Sequence, residues 1–120
     1  MISLFASQVS YAAPAWPEFD VDVVSTAGRP CTFNVGTARL ALAIDAGSVR
    51  VWSSADCVQG RKSLVTDLVK GVPTVLPISW DRRTSSPGCK LATSEVPAGM
   101  YAATASSGQL TSNTEIFRLR

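Results

Sequence analysis

Leu40-Ala41-Leu42-Ala43-Ile44-Asp45-Ala46-Gly47-Ser48-Val49-Arg50-Val51-Trp52-Ser53-Ser54-Ala55-Asp56-Cys57 is the stretch that decides the fold class of this chain. Its first half alternates: Leu40, Leu42 and Ile44 face one side, with Arg39, Ala41 and Ala43 on the other. That period of two belongs to a half-buried strand. Asp45-Ala46-Gly47-Ser48 reads as a short hairpin turn. The stretch therefore predicts one strand over 38–45 and a second over Val49–Ser53. The second strand carries Trp52 at its end, and a polar loop then runs into Cys57.

The same order of features recurs at Ser79-Trp80-Asp81-Arg82-Arg83-Thr84-Ser85-Ser86-Pro87-Gly88-Cys89. Two strands that each end in Trp and then Cys can meet at one edge of a sandwich and be stapled there. A Cys57–Cys89 disulfide is thus expected, with a buried reduced thiol as the alternative for either cysteine. Such a cross-link would stabilise the fold by about 3–4 kcal/mol in the chain-entropy model and would imply an oxidising compartment.

The rest of the chain follows the same grammar. Runs rich in Val, Ile, Leu and aromatics, punctuated by Gly, Pro, Ser and Asp, predict further strands over 2–11, 19–25, 63–68, 74–80, 99–105 and 114–119. Helical periodicity is nearly absent. Phe19, Val21 and Val23 alternate with Asp20 and Asp22, giving one buried and one wet face. Pro77 removes a ladder donor, so its strand is expected at an edge or at a bulge. Pro97-Ala98-Gly99-Met100-Tyr101 has the spacing of the tyrosine corner in immunoglobulin-type sandwiches. Ala103 stands where the second cysteine of such domains would fall, so no central inter-sheet disulfide is expected. The fold class read from the sequence is all-β, an immunoglobulin-like sandwich of seven to eight antiparallel strands, with residues 1–120 forming one domain.

Composition narrows the functional classes. With 11 Lys and Arg against 9 Asp and Glu, the net charge is +2, and the cations are spread along the chain rather than gathered into the stripe a nucleic-acid binder uses. The dipeptides Arg61-Lys62 and Arg82-Arg83 fall in predicted loops, where solvated charge is the ordinary outcome. The chain has no His, which removes the commonest general base, metal ligand and nucleophile partner. Glu18, Asp20 and Asp22 share one strand face, but calcium sites usually draw their oxygens from a loop, so a solvated outer face is the plainer reading. No CxxC pair is present, and neither metal nor cofactor is expected. Met1-Ile2-Ser3-Leu4-Phe5-Ala6 with Tyr11-Ala12-Ala13-Pro14-Ala15 has some likeness to a signal peptide. However, no basic residue precedes Arg29, and Ser7, Gln8 and Ser10 interrupt the apolar run. A first strand followed by a Pro-rich bend at Pro14, Trp16 and Pro17 is the better account. No stretch approaches the ~20 apolar residues of a membrane span.

Several segments together resemble a family of actinobacterial extracytoplasmic domains of unknown function, often found behind an N-terminal transmembrane segment and a linker. They are Pro30-Cys31-Thr32 with Val35-Gly36, Val51-Trp52-Ser53-Ser54 with Asp56-Cys57, Leu68 with Gly71, and Ser79-Trp80-Asp81 with Arg83 and Ser85-Ser86-Pro87-Gly88-Cys89. Pro97-Ala98-Gly99 with Tyr101 and the closing Thr114-Glu115-Ile116-Phe117-Arg118-Leu119 complete the set. The resemblance implies one more Cys near the first strand, at or just before Met1, as the partner of Cys31, and hence a domain truncated there. A more distant likeness, through Gly71, Trp80, Pro97, Gly99 and Tyr101, is to the proteinase-inhibitor domain found inside Bacillus cells.

The expected function is a non-enzymatic, extracytoplasmic cell-envelope module that binds an envelope protein or a cell-wall polymer, or spaces other domains. Membrane contact is expected only through a segment absent from this chain, and no nucleic acid is expected. The candidate binding surface is the loop end bearing Trp52, Ser53, Asp56, Asp81, Arg82 and Arg83, because loops at one end of a sandwich are where binding usually sits. Core packing is the plainer role for Trp52 and Trp80. The alternative function is proteinase inhibition through the loop Thr84-Ser85-Ser86-Pro87-Gly88, braced by Cys89. Catalysis ranks last, since nothing supplies a base for a nucleophile.

Overall fold

Period-two alternation sorts the strands into facing sheets. The computed structural model describes residues 1–25, 31–36, 39–57 and 64–120. In chain order the strands are β1 (Ile2–Ala6), β2 (Ser10–Tyr11), β3 (Glu18–Val23), β4 (Cys31–Asn34), β5 (Leu40–Ala46), β6 (Val49–Ser53), β7 (Val65–Leu68), β8 (Thr74–Ser79), β9 (Gly99–Ser107) and β10 (Leu110–Leu119). One sheet has the order β1-β3-β8, a second the order β2-β10-β9-β5-β6, and β4 pairs with β7. The predicted all-β class holds. The strands Ala38 and Ser63 were expected to open, and the Arg61-Lys62 dipeptide, reach or lie outside the described residues.

The core lies between the first two sheets. Ile2, Leu4, Phe19, Val21 and Val23 come from the three-stranded side, and Leu40, Leu42, Ile44, Tyr101, Ala103, Ala105, Phe117 and Leu119 from the five-stranded side; all join one buried cluster. Each large side chain withdrawn from water here contributes about 1.5–3 kcal/mol. Phe117 stands at the centre. Its ring meets Phe19 across the sheets at 5.3 Å, Tyr11 at 6.0 Å and Trp80 at 6.2 Å, each edge to face. Ala103 is fully buried in this layer.

Four readings require correction. The stretch 2–11 is two strands: β1 pairs with β3, and after Ser7-Gln8-Val9 the chain crosses to the other sheet, where β2 runs parallel to β10. The Tyr11 hydroxyl stabilises the crossing, lying 3.1 Å from Ser7 Oγ, accepting from Gln8 N at 3.1 Å and donating to Glu18 O at 3.2 Å. The sheets are therefore not wholly antiparallel, and the described residues form ten strands where seven to eight were expected. Second, β4 was unpredicted because Cys31-Thr32-Phe33-Asn34 is too short to show a period. Third, β9 and β10 run longer than predicted, meeting in a tight turn where Gly108 adopts a φ of 59°, a conformation glycine takes without a Cβ clash. Fourth, the strand predicted over 74–80 ends at Ser79, and the buried Trp80 leads into the loop end.

Sheet edges are managed by side chains. β8 borders its sheet, and Pro77 lies opposite Asp20 of β3, as an edge position permits. On the other border, Asn113 acts as a substitute strand for β1. Its Oδ1 accepts from Leu4 N at 2.8 Å and its Nδ2 donates to Leu4 O at 3.0 Å. Asn113 reaches β1 from a register shift between Thr111 and Thr114 of β10. There Ser112 Oγ replaces the interrupted ladder by accepting from Ala105 N at 2.8 Å. Unpaired strand edges invite foreign strands, and a side-chain amide in this position blocks that pairing.

Candidate functional site

The loop end beyond β6 and β8 is built around a cross-link and a buried carboxylate. Cys57 and Cys89 form the predicted disulfide, with Cα atoms 5.0 Å apart and a sequence separation of 32. A disulfide is consistent with a location outside the cytoplasm. Among the described residues, no helix is long and apolar enough to cross a membrane. Both linked cysteines are exposed, so the bond staples the surface.

Next to it, Asp56 is only 7% exposed. Its Oδ2 accepts from Arg50 Nη1 at 3.0 Å and from Ser85 Oγ at 2.6 Å. Ser85 Oγ in turn accepts from Ser53 N at 3.0 Å, while Ser85 N donates to Val51 O at 2.9 Å. The segment after Trp80 is thereby sewn along the open edge of β6. Buried carboxylates need such partners, since an unpaired one would bear the full cost of losing water.

Trp80 is fully buried. Its ring contacts Tyr101 at 5.6 Å and Trp52 at 6.3 Å, and its Nε1 donates to Arg83 O at 2.9 Å. Tyr101 closes the predicted corner by donating its hydroxyl proton to Pro97 O at 2.6 Å. Burial pushes the Tyr101 phenol above its usual range, and the nearby Arg82 cation acts in the opposite direction.

The two arginines are both committed to the backbone. Arg82 takes a φ of 64°, and its guanidinium donates to Tyr11 O at 3.4 Å, Ala15 O at 3.2 Å and Arg120 O at 2.9 Å. It joins three segments distant in sequence. Arg83 donates from Nε to Thr93 Oγ1 and from Nη2 to Thr93 O, each at 3.1 Å, and forms a β-bridge with Glu95.

The structure thus brings Trp52, Ser53, Asp56, Asp81, Arg82 and Arg83 to one end, in different situations. Ser53 and Asp56 are buried, Trp52, Arg82 and Arg83 are half-buried, and Asp81 is exposed. Asp81 Oδ1 accepts from Arg83 N at 3.2 Å. A cavity of about 200 Å³ opens beside them, lined by Ala13, Pro14, Trp16, Asp81, Arg82, Glu95 and Val96. Trp16 and Glu95 were not among the predicted site residues. A Trp between two prolines was the available signal, but its placement depends on Arg82, far along the chain. Elsewhere, the Cys31 thiol lies 3.0 Å from Ser25 Oγ, and Glu18, Asp20 and Asp22 lie along β3, the first two exposed and Asp22 half-buried.

No protein-family model and no curated protein matches the chain. Among solved structures it is similar to a β-glucosidase from Erythrobacter marinus, at 17% identity and a TM-score of 0.58. That alignment covers 98% of this chain and 15% of the β-glucosidase chain. At such low identity the likeness is one of fold.

Proposed function

We propose that this chain is a non-enzymatic extracytoplasmic module of the cell envelope, whose braced loop end binds a cell-wall polymer or an envelope protein. The observation that carries the reading is the pairing of the Cys57–Cys89 disulfide with the Asp56 network at the end that presents Asp81 and the neighbouring cavity. A surface held this firmly loses little conformational freedom on binding. The absence of His supports a role without acid–base or nucleophilic chemistry.

The same proposal includes an immunoglobulin-like architecture. Its support is the β1-β3-β8 sheet facing β2-β10-β9-β5-β6, the crossing of the first strand between sheets, and the Tyr101–Pro97 corner. The resemblance to the actinobacterial family rests on the quoted residues and supports the location.

Sedimentation of the purified domain with isolated cell envelopes tests the function. Saturable co-sedimentation, reduced in Asp81→Ala at unchanged stability, is expected. A domain that stays in the supernatant at every envelope concentration would sink the reading.

One observation favours proteinase inhibition as a second reading, though on a neighbouring loop. Thr84 and Ser85 are bonded inward, whereas Leu91 is 71% exposed. Its segment is pinned by the disulfide at Cys89, by Leu91 N donating to Ser86 Oγ at 2.9 Å, and by Thr84 N donating to Ser94 O at 2.8 Å. A pinned loop resists cleavage because its ends cannot separate. Assays against serine proteases that accept an apolar residue would support this reading by tight inhibition, and rapid cleavage after Leu91 would end it.

A further inference from the structure

We infer that the cavity beside Arg82 is a glycan subsite that takes one neutral sugar ring, with Trp16 as its stacking platform and Asp81 and Glu95 as acceptors for its hydroxyls. The inference rests on the binding-module reading above and names the ligand class for that end of the molecule.

The first argument is the way Trp16 is held. The residue is 58% exposed, which alone would be unremarkable, since single exposed apolar residues are common. Its backbone, however, is fixed on both sides. Ala15 O accepts from Arg82 Nη1 at 3.2 Å, Ala15 N donates to Ala12 O at 2.9 Å, and Pro17 O accepts from Trp80 N at 3.0 Å. Pro17 is itself buried. The indole lines the cavity from this fixed backbone, and a flat apolar surface with polar neighbours suits a ligand with one apolar face.

Size and charge narrow the ligand. A cavity of about 200 Å³ holds a ring rather than a folded peptide segment. Arg82 lines it, but its guanidinium is already shared among three carbonyls, so it offers little to a phosphate or carboxylate. The polar groups left to a ligand are carboxylates. Asp81 uses one oxygen on Arg83 N, and the Glu95 carboxylate has no partner among the described residues. An anionic ligand would be repelled by this pair. A sugar meets every group present: its axial C–H face covers Trp16, and its hydroxyls donate to Asp81 and Glu95. An ammonium group would also be attracted to two carboxylates and an indole, so the test must separate the two.

Calorimetric titration with neutral oligosaccharides (gluco-, galacto-, manno-, xylo- and arabino-oligosaccharides), a tetralysine peptide and inorganic phosphate makes that separation. The wild-type domain should bind at least one oligosaccharide saturably at millimolar concentration or tighter, and phosphate not at all. Trp16→Ala should weaken that binding by about tenfold or more, and Glu95→Gln by severalfold, both with an unchanged melting temperature. The inference is overturned if no oligosaccharide binds, if Trp16→Ala binds as the wild type does, or if tetralysine binds in place of the sugars. A domain that sediments with envelopes equally well as wild type and as Trp16→Ala would sink the sugar subsite alone and leave the broader reading standing.

Discussion

Replacing Asp56 with Ala removes the carboxylate that joins β6 to the segment after Trp80. Two interactions are lost. The bond from Ser85 Oγ, at 2.6 Å, is charge-assisted and inside a largely buried site, which puts it at about 1.5–3 kcal/mol. The pair with Arg50 spans 3.0 Å, but Arg50 is 39% exposed, so solvent screening holds it to about 0–1 kcal/mol. Asp56→Ala is thus expected to cost about 2–4 kcal/mol, a fall of roughly 6–15 °C in melting temperature for a domain of this size. Arg50→Ala should cost about 1 kcal/mol or less. Urea unfolding of Asp56→Ala, Ser85→Ala and the double variant would form a cycle, and its coupling energy should be about 1 kcal/mol or more. A coupling near zero, or an Asp56→Ala variant no weaker than Arg50→Ala, would refute the claim that this carboxylate anchors the loop end.

Other expectations follow from single contacts. Asn113→Ala should cost about 1–3 kcal/mol, because both of its bonds go to the backbone of Leu4; hydrogen exchange at the Leu4 amide should accelerate while that at Val21 does not. Cys57→Ser with Cys89→Ser, closing no loop across the 32-residue separation, should lose about 3–4 kcal/mol by chemical denaturation. Tyr101 carries a pH signature. Its folded-state value is raised by burial, so the unfolded chain ionises first, and the stability this residue contributes is full below about pH 10 and declines as pH rises through the folded value. Tyr101→Phe should lose about 1 kcal/mol at neutral pH and show a shallower decline above pH 10 in thermal melts.

The parts of the fold that follow from a period or a short spacing were legible in the sequence. Leu40, Leu42 and Ile44, and likewise Phe19, Val21 and Val23, are buried as their alternation requires. The corner at Pro97 and Tyr101 and the link between Cys57 and Cys89 were readable because each is a local pattern or a pair of like patterns. What escaped depends on partners far along the chain. The break between β1 and β2 is invisible because Ser7, Gln8 and Val9 do not contradict a continuous strand; it is the Tyr11 hydroxyl that turns the backbone there. Asp56 reads as part of the candidate binding surface until Ser85 is placed beside it and shows it to be a buried anchor. Trp16 reads as a Trp caught between prolines, and only the long reach of Arg82 shows that its backbone is fixed.

The central claim, a disulfide-braced module working outside the cytoplasm, is tested most directly by the redox state of its cysteines in the living cell. Intact source cells would be treated with a thiol alkylator before lysis, and the protein digested without reductant and analysed by mass spectrometry. The account predicts a cross-linked peptide pair containing Cys57 and Cys89, with neither residue alkylated. Recovery of both cysteines alkylated from cells never exposed to reductant would contradict it.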